Sequence, residues 1–194
     1  MLTQEQIDGV IAFHGHHCPG LVFGMRVGEW ALREFGYATD EEIVAVVETD
    51  MCAVDAIQYL IGCTFGKGNF IFLDYGKNAY TFFRRHDGKN ARLMTRGELL
   101  TDLRNREKLL SDDDTEEREI IRRQMIDRIM SADFETIFSM GSAQIPMPEK
   151  ARIHQSIRCD GCGELVMATR IHRENAKNHC IPCQRASETA KMRE

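Results

Sequence analysis

Four side chains able to ligate a metal or attack an electrophile fall within five residues near the start of the chain. They are His14, His16, His17 and Cys18, in the run Phe13-His-Gly-His-His-Cys-Pro-Gly20. Neutral imidazoles beside a thiolate suit zinc, iron, nickel or copper. Pro19 fits the first position of a helix, which puts Cys18 at its N-cap, where the helix dipole lowers a thiol pKa. A His-Gly-His spacing can set His14 and His16 on one side of an extended segment, with His17 pointing away. Cys52 opens a second expected helix, and Asp55 lies one turn further on the same face. Near the other end, Cys159-x2-Cys162 and Cys180-x2-Cys183 are separated by seventeen residues. That is the spacing of a four-thiolate structural zinc site.

The elements that position these groups follow from pattern. Thr3-x-x-Gln6 is a capping box for a helix carrying Ile7, Val10 and Ile11. The helix after Cys18 runs to about Phe35 and stops at Gly36. Gly20, Gly24 and Gly28 recur on it at four-residue intervals. Each costs roughly 1 kcal/mol against alanine, so close packing with a core helix or a dimer partner is expected. Glu42–Thr49 reads as a buried strand, and 52–62 as a helix with Val54, Ile57 and Ile61 on one face.

Cys63, at the end of that helix, reads as a small buried hydrophobe. The loop Gly62–Asn69 lacks the Gly-Lys-Ser/Thr ending of a phosphate loop. Asn69–Asp74 and Ala79–Arg85 read as strands joined by a turn at Gly76-Lys77-Asn78, and Asp87-Gly88 as a hairpin turn into Ala91–Met94. From Glu98 to Asp133 two charged helices are expected, their outer faces laced by pairs four residues apart. Asp113 or Asp114 would cap the second of them.

The reading is thus an α+β core with a mainly antiparallel sheet packed against helices (residues 1–140), a linker (141–154), and a C-terminal zinc finger (155–194). In the finger, Asp160-Gly161 and Gly163 supply the turn for the first cysteine pair. Leu165–Ile171 forms one arm of a hairpin, and Pro182 starts a helix at the second pair. So short a segment has almost no core, so one zinc per chain would supply most of its folding free energy, roughly 10 kcal/mol or more. A complete four-thiolate set leaves His172 and His179 without a necessary ligand role.

The 194 residues are 43% apolar and 28% charged, with a net charge of −5, as in soluble globular chains rather than nucleic-acid or membrane binders. No secretory signal or membrane-spanning run is evident, so a cytoplasmic protein is expected, with its thiols kept reduced.

Several runs, in order, carry a family resemblance: FHGHHCPG, CAVDAIQ, GCTFGKGN and DYGKNAY. Over roughly residues 8–85 the chain resembles the FmdE family, named for a component of formylmethanofuran dehydrogenase. The C-terminal run CDGCGE…HCIPCQ resembles the treble-clef zinc finger of the DksA/TraR regulators, which bind RNA polymerase. The first resemblance implies an α+β core, commonly dimeric, with a cleft lined by the histidine–cysteine segment and the residues around Cys52. Carried over by position, the family's recurrent polar residues are His14, His16, Cys18, Cys52, Asp55, Cys63, Lys67, Asp74 and Lys77.

The resemblance also implies association with a molybdenum or tungsten complex that reduces CO₂ to formylmethanofuran. Nothing in the chain resembles a molybdopterin domain or a ferredoxin cysteine run, so the chain alone cannot perform that redox step. The first expectation is therefore a metal-binding accessory protein, a homodimer or a member of an oxidoreductase complex. His14, His16, Cys18 and Cys52 would hold a second, transition metal, and Asp55, Lys67, Asp74 and Lys77 would contribute to ligand binding. For Lys67 and Lys77 the plainer reading is exposed lysines in turns.

Two other readings stand beside it. In one, the finger docks on protein or nucleic acid through Arg152, Arg158, Arg170, Arg173, Lys177 and Arg185. In the other, Cys18 is a nucleophile with His16 or another nearby histidine as its base.

Overall fold

A computed structural model describes residues 1–191 of the chain. It divides into two compact units, Met1–Ala151 and Arg152 onward. Each is described by itself.

The first unit opens with α1 (Gln4–His14), whose capping box is formed as the sequence indicates. The Thr3 hydroxyl accepts from Gln6 N–H, and the Gln6 side chain accepts from Thr3 N–H. Gly15, at φ +94°, ends the helix in the left-handed conformation. Then α2 (Pro19–Phe35) begins at a proline and ends at Gly36. β1 (Ile43–Val47), an unbroken run of Ile, Val and Ala, is buried on both faces. It is followed by α3 (Ala53–Ile61), closed by Gly62 in the left-handed region. The glycine stripe of α2 packs on α3: a Cβ on Gly24 would lie 2.6 Å from Ala53 Cα, and one on Gly28 would press into Leu60.

β2 (Phe70–Phe72), β3 (Ala79–Arg84), β4 (Asn90–Thr95) and β5 (Phe138–Gly141) complete a mixed sheet in the order β2-β1-β3-β4-β5. The turn at Gly76–Asn78 does not close a hairpin. β1 lies between β2 and β3, parallel to the former and antiparallel to the latter. The fully apolar β1 takes the place buried on both sides, which a solvent-facing hairpin partner would not need. The Asp87-Gly88 turn does close the β3–β4 hairpin.

Between β4 and β5 come α4 (Thr101–Lys108), α5 (Thr115–Ser131) and the single turn α6 (Phe134–Ile137). Asp114 occupies the N-cap position of α5 but makes no capping bond. Its carboxylate accepts from Ser111 N–H and Oγ instead. Of the expected pairs four residues apart, Glu119–Arg123 forms, while Ile121, Met125 and Ile129 face the core.

The inner face of the sheet carries Ala45, Val47, Phe70, Tyr80, Phe82 and Leu93 against these helices. The outer face carries Val44, Val46 and Phe83, with Ala143 and Ile145 packed on them. Arg85 donates to the carbonyls of Pro148 and Glu149, and Asn90 Oδ1 accepts from Ala143 N–H. The segment after β5 is thus strapped over the outer face.

In the second unit β6 (Ser156–Arg158) pairs with β7 (Leu165–Met167), and β8 (Ile171–Glu174) with β9 (Lys177–Cys180). α7 follows over Ile181–Lys191. The expected single arm Leu165–Ile171 is therefore divided by a turn at 168–170 and serves two hairpins. Asn175 and Ala176, both at positive φ, make the two-residue turn whose twist suits the β8–β9 pair. No helix among the described residues is long and apolar enough to cross a membrane.

Candidate metal centres

Cys18 and Cys52 stand at the N-termini of α2 and α3, two helices brought together by the glycine stripe. The Cys18 sulfur accepts from Leu21 N–H at 3.4 Å, which makes it the N-cap of α2. Gly20 lies under both sulfurs: a Cβ there would be 3.6 Å from Cys52 Sγ and 4.0 Å from Cys18 Sγ. The histidines reach this point differently from the expected extended segment. His14 is the last residue of α1, and the left-handed Gly15 turns the chain back. The rings of His14 and His16 thus lie 4.4 Å apart. His17 is exposed and outside the group.

One donor atom from each of His14, His16, Cys18 and Cys52 falls within 4.8 Å of the others. A tetrahedral ion with metal–sulfur near ~2.3 Å and metal–nitrogen near ~2.0 Å sets its ligand atoms roughly 3.3–3.8 Å apart. The 3.9 Å from His14 Nε2 to Cys18 Sγ is close to that spacing. His14 Nδ1 is 2.7 Å from Asp55 Oδ2. A carboxylate can only accept, so the imidazole carries its proton on Nδ1 and turns the Nε2 lone pair toward the sulfurs. A carboxylate behind a ligating histidine is the usual support of a metal site. Burial, and then the neighbouring Cys18 thiol, raise the Cys52 pKa; a cation is what reverses such a penalty. The donor set fits a zinc-like ion.

Asp55 joins the cluster through His14; the other expected ligand-binding residues do not. Lys67 Nζ donates to the Ala38 carbonyl at 3.0 Å and tethers the loop after α3. Asp74 and Lys77 are exposed in the β2–β3 connection, Lys77 lying 5.8 Å over the Tyr75 ring. Cys63 is fully buried, with its thiol donating to the Ile43 carbonyl.

The second centre is in the finger, where Cys159, Cys162, Cys180 and Cys183 converge in the same way. Cys162 Sγ and Cys180 Sγ are 3.9 Å apart, near the roughly 3.8 Å edge of a zinc–thiolate tetrahedron. Cys180 N–H donates to Cys159 Sγ at 3.3 Å. This bond leads those that bring the Cys159 thiol down to about 6, while the neighbouring Cys180 sulfur leads those that push Cys183 up to about 12. Four sulfurs this close ionise together only around a cation, and the all-cysteine set fits zinc.

The fold and the sites define a two-unit protein, an α+β core carrying an imidazole–thiol cluster and a four-cysteine finger. The family model described as FmdE, molybdenum formylmethanofuran dehydrogenase operon, matches residues 13–139. The chain belongs to the FmdE family. A second family model, the prokaryotic DksA/TraR C4-type zinc finger, matches residues 155–188.

A protein of Archaeoglobus fulgidus, described as a probable S-adenosyl-L-methionine-binding protein, is 33% identical over 179 residues. That alignment covers 82% of this chain and 48% of the relative, so the chain spans about half the length of the curated relative it matches. The chain is also similar to the crystal structure of a tungsten formylmethanofuran dehydrogenase FmdE-like protein from Syntrophus aciditrophicus. The TM-score is 0.62 at 25% identity, covering 95% of this chain and 92% of that one.

Proposed function

We propose that the chain is a metal-loaded accessory protein of the FmdE type, acting with a molybdenum or tungsten formylmethanofuran dehydrogenase without carrying its redox step. The observation that carries this reading is the convergence of His14, His16, Cys18 and Cys52, with Asp55 fixing the tautomer of His14. These four residues would hold a transition ion, which when bound supplies Lewis-acid polarisation. His16 is the exposed member of the set, and so the one that a ligand arriving from solvent meets. With Cys18 it forms the candidate reactive pair.

Elemental analysis of protein purified without chelator or histidine tag tests this. The full chain is expected to carry one ion more than the Cys18→Ala, His16→Ala double variant, and both are expected to keep the finger's zinc. Equal metal content in the two proteins would overturn the reading.

One comparison favours a second reading, in which the core binds S-adenosyl-L-methionine, as the name of the Archaeoglobus relative states for that protein. Calorimetric titration with that compound decides it: saturable heat supports it, and none at millimolar ligand removes it.

A further inference from the structure

A cavity of about 160 Å³ lies between the inner face of the sheet and the N-terminal ends of α2 and α3. Pro19 and Gly20 form one wall, and Met51 and Ala53 another, so the walls flank Cys18 and Cys52 directly in sequence. Gly20 is the thin point, because it lines the cavity and also lies against both sulfurs. Phe23, Leu100 and Met125 supply an apolar body to the space.

The sheet supplies three hydrogen-bonding side chains, Asn78, Tyr80 and Thr95. Tyr80 faces Leu93 across β3 and β4, and Thr95 N–H donates to the Asn78 carbonyl, so the three sit side by side in register. Tyr80 is only 1% exposed, and burial alone acts on its phenol, raising its pKa. Thr95 Oγ1 is buried with no hydrogen-bond partner among the described residues. A buried hydroxyl left without a partner costs about 1–3 kcal/mol, so Thr95 Oγ1, with Tyr80 lining the same cavity, needs a reason. A ligand that hydrogen-bonds to them supplies one. At the rim, Arg104 and Glu107 contribute one charge of each sign, which selects for neither anion nor cation.

We infer that this cavity binds a small neutral molecule with an apolar body and one hydroxyl or carbonyl group, held by Thr95 and Tyr80 beside the Cys18–Cys52 pair. A cavity of about 150 Å³ accepts a benzene-sized molecule, which sets the size class. The inference goes beyond the metal reading and holds whether or not an ion occupies the cluster.

Phenol and benzene differ by the one group in question and serve as probes on the full chain, with binding followed by ligand-detected NMR titration. Phenol is expected to bind at least tenfold more tightly than benzene. The Thr95→Val, Tyr80→Phe double variant is expected to bind the two equally. Thr95→Val alone replaces the unpartnered hydroxyl by a methyl of the same shape, so it is expected to raise the urea midpoint of the free protein while weakening phenol. Three results overturn the inference: no binding of either probe, no preference for phenol in the parent protein, or a preference that survives in the double variant.

Discussion

Asp55 and Cys63 show how much of a side chain's chemistry is decided by its neighbours. The Asp55 carboxylate meets His14 Nδ1 at 2.7 Å, and that contact selects which imidazole nitrogen is free. Asp55→Asn keeps the shape and removes the carboxylate's demand for a proton. Its core metal affinity is expected to fall by about 10–100-fold, as for other outer-shell partners, with little change in the unfolding midpoint. Competition with a chromophoric chelator measures it, and unchanged affinity would deny Asp55 its positioning role. For Cys63, burial pushes the thiol up to about 12. The thiolate is the nucleophile, so at neutral pH Cys63 is expected to resist iodoacetamide in the folded protein and to react once urea unfolds it. Peptide mass spectrometry reads both states, and modification of Cys63 in the native protein would contradict its burial.

The α2–α3 contact is where the arrangement of elements controls the site. At Gly24 any side chain meets the Ala53 backbone, and a helix backbone cannot move aside as a side-chain tip can. Gly24→Ala is expected to destabilise by about 1–3 kcal/mol through overpacking, less up to about 1 kcal/mol from better helix propensity. Urea unfolding checks the sign. A more stable variant would show that the two helices are not in contact there.

This helix pair was legible in the sequence because its signals are local: Cys-Pro at the start of α2, the glycine interval along it, and Gly36 and Gly62 as stops. The convergence of His14 with His16 was half legible. Their spacing suggests a shared side, but the left-handed turn at Gly15 that produces it is a backbone choice that composition alone does not announce. The position of β1 was not legible. Strand pairing across thirty residues is settled by which strand needs burial on both faces, and no turn residue encodes that. β5 was hidden for a related reason, because Phe138–Gly141 pairs with β4 only after α4, α5 and α6 have been traversed.

At the scale of the whole chain, the two units depend on different sources of stability. Met1–Ala151 has a continuous apolar core, whereas among the described residues of the finger the buried apolar side chains are Cys159 and Cys180. Metal binding of roughly 10 kcal/mol is therefore most of what folds the finger. Added chelator is expected to make the segment after Ala151 sensitive to trypsin, while α2, α3 and the sheet stay protected. Limited proteolysis with mass analysis tests this, and an equally resistant finger in chelator would mean that its hairpins fold without the ion.

The dual place of Cys18, whose sulfur caps α2 and also belongs to the cluster, has a consequence in time as well as in space. An ion that holds the sulfur as thiolate leaves it lone pairs for the Leu21 amide and strengthens that bond, whereas an oxidant or an alkylating reagent weakens it. Deuterium uptake at the first turn of α2 thus becomes a built-in gauge of the cluster's state, slowed when an ion holds the thiolate and quickened once the sulfur is modified.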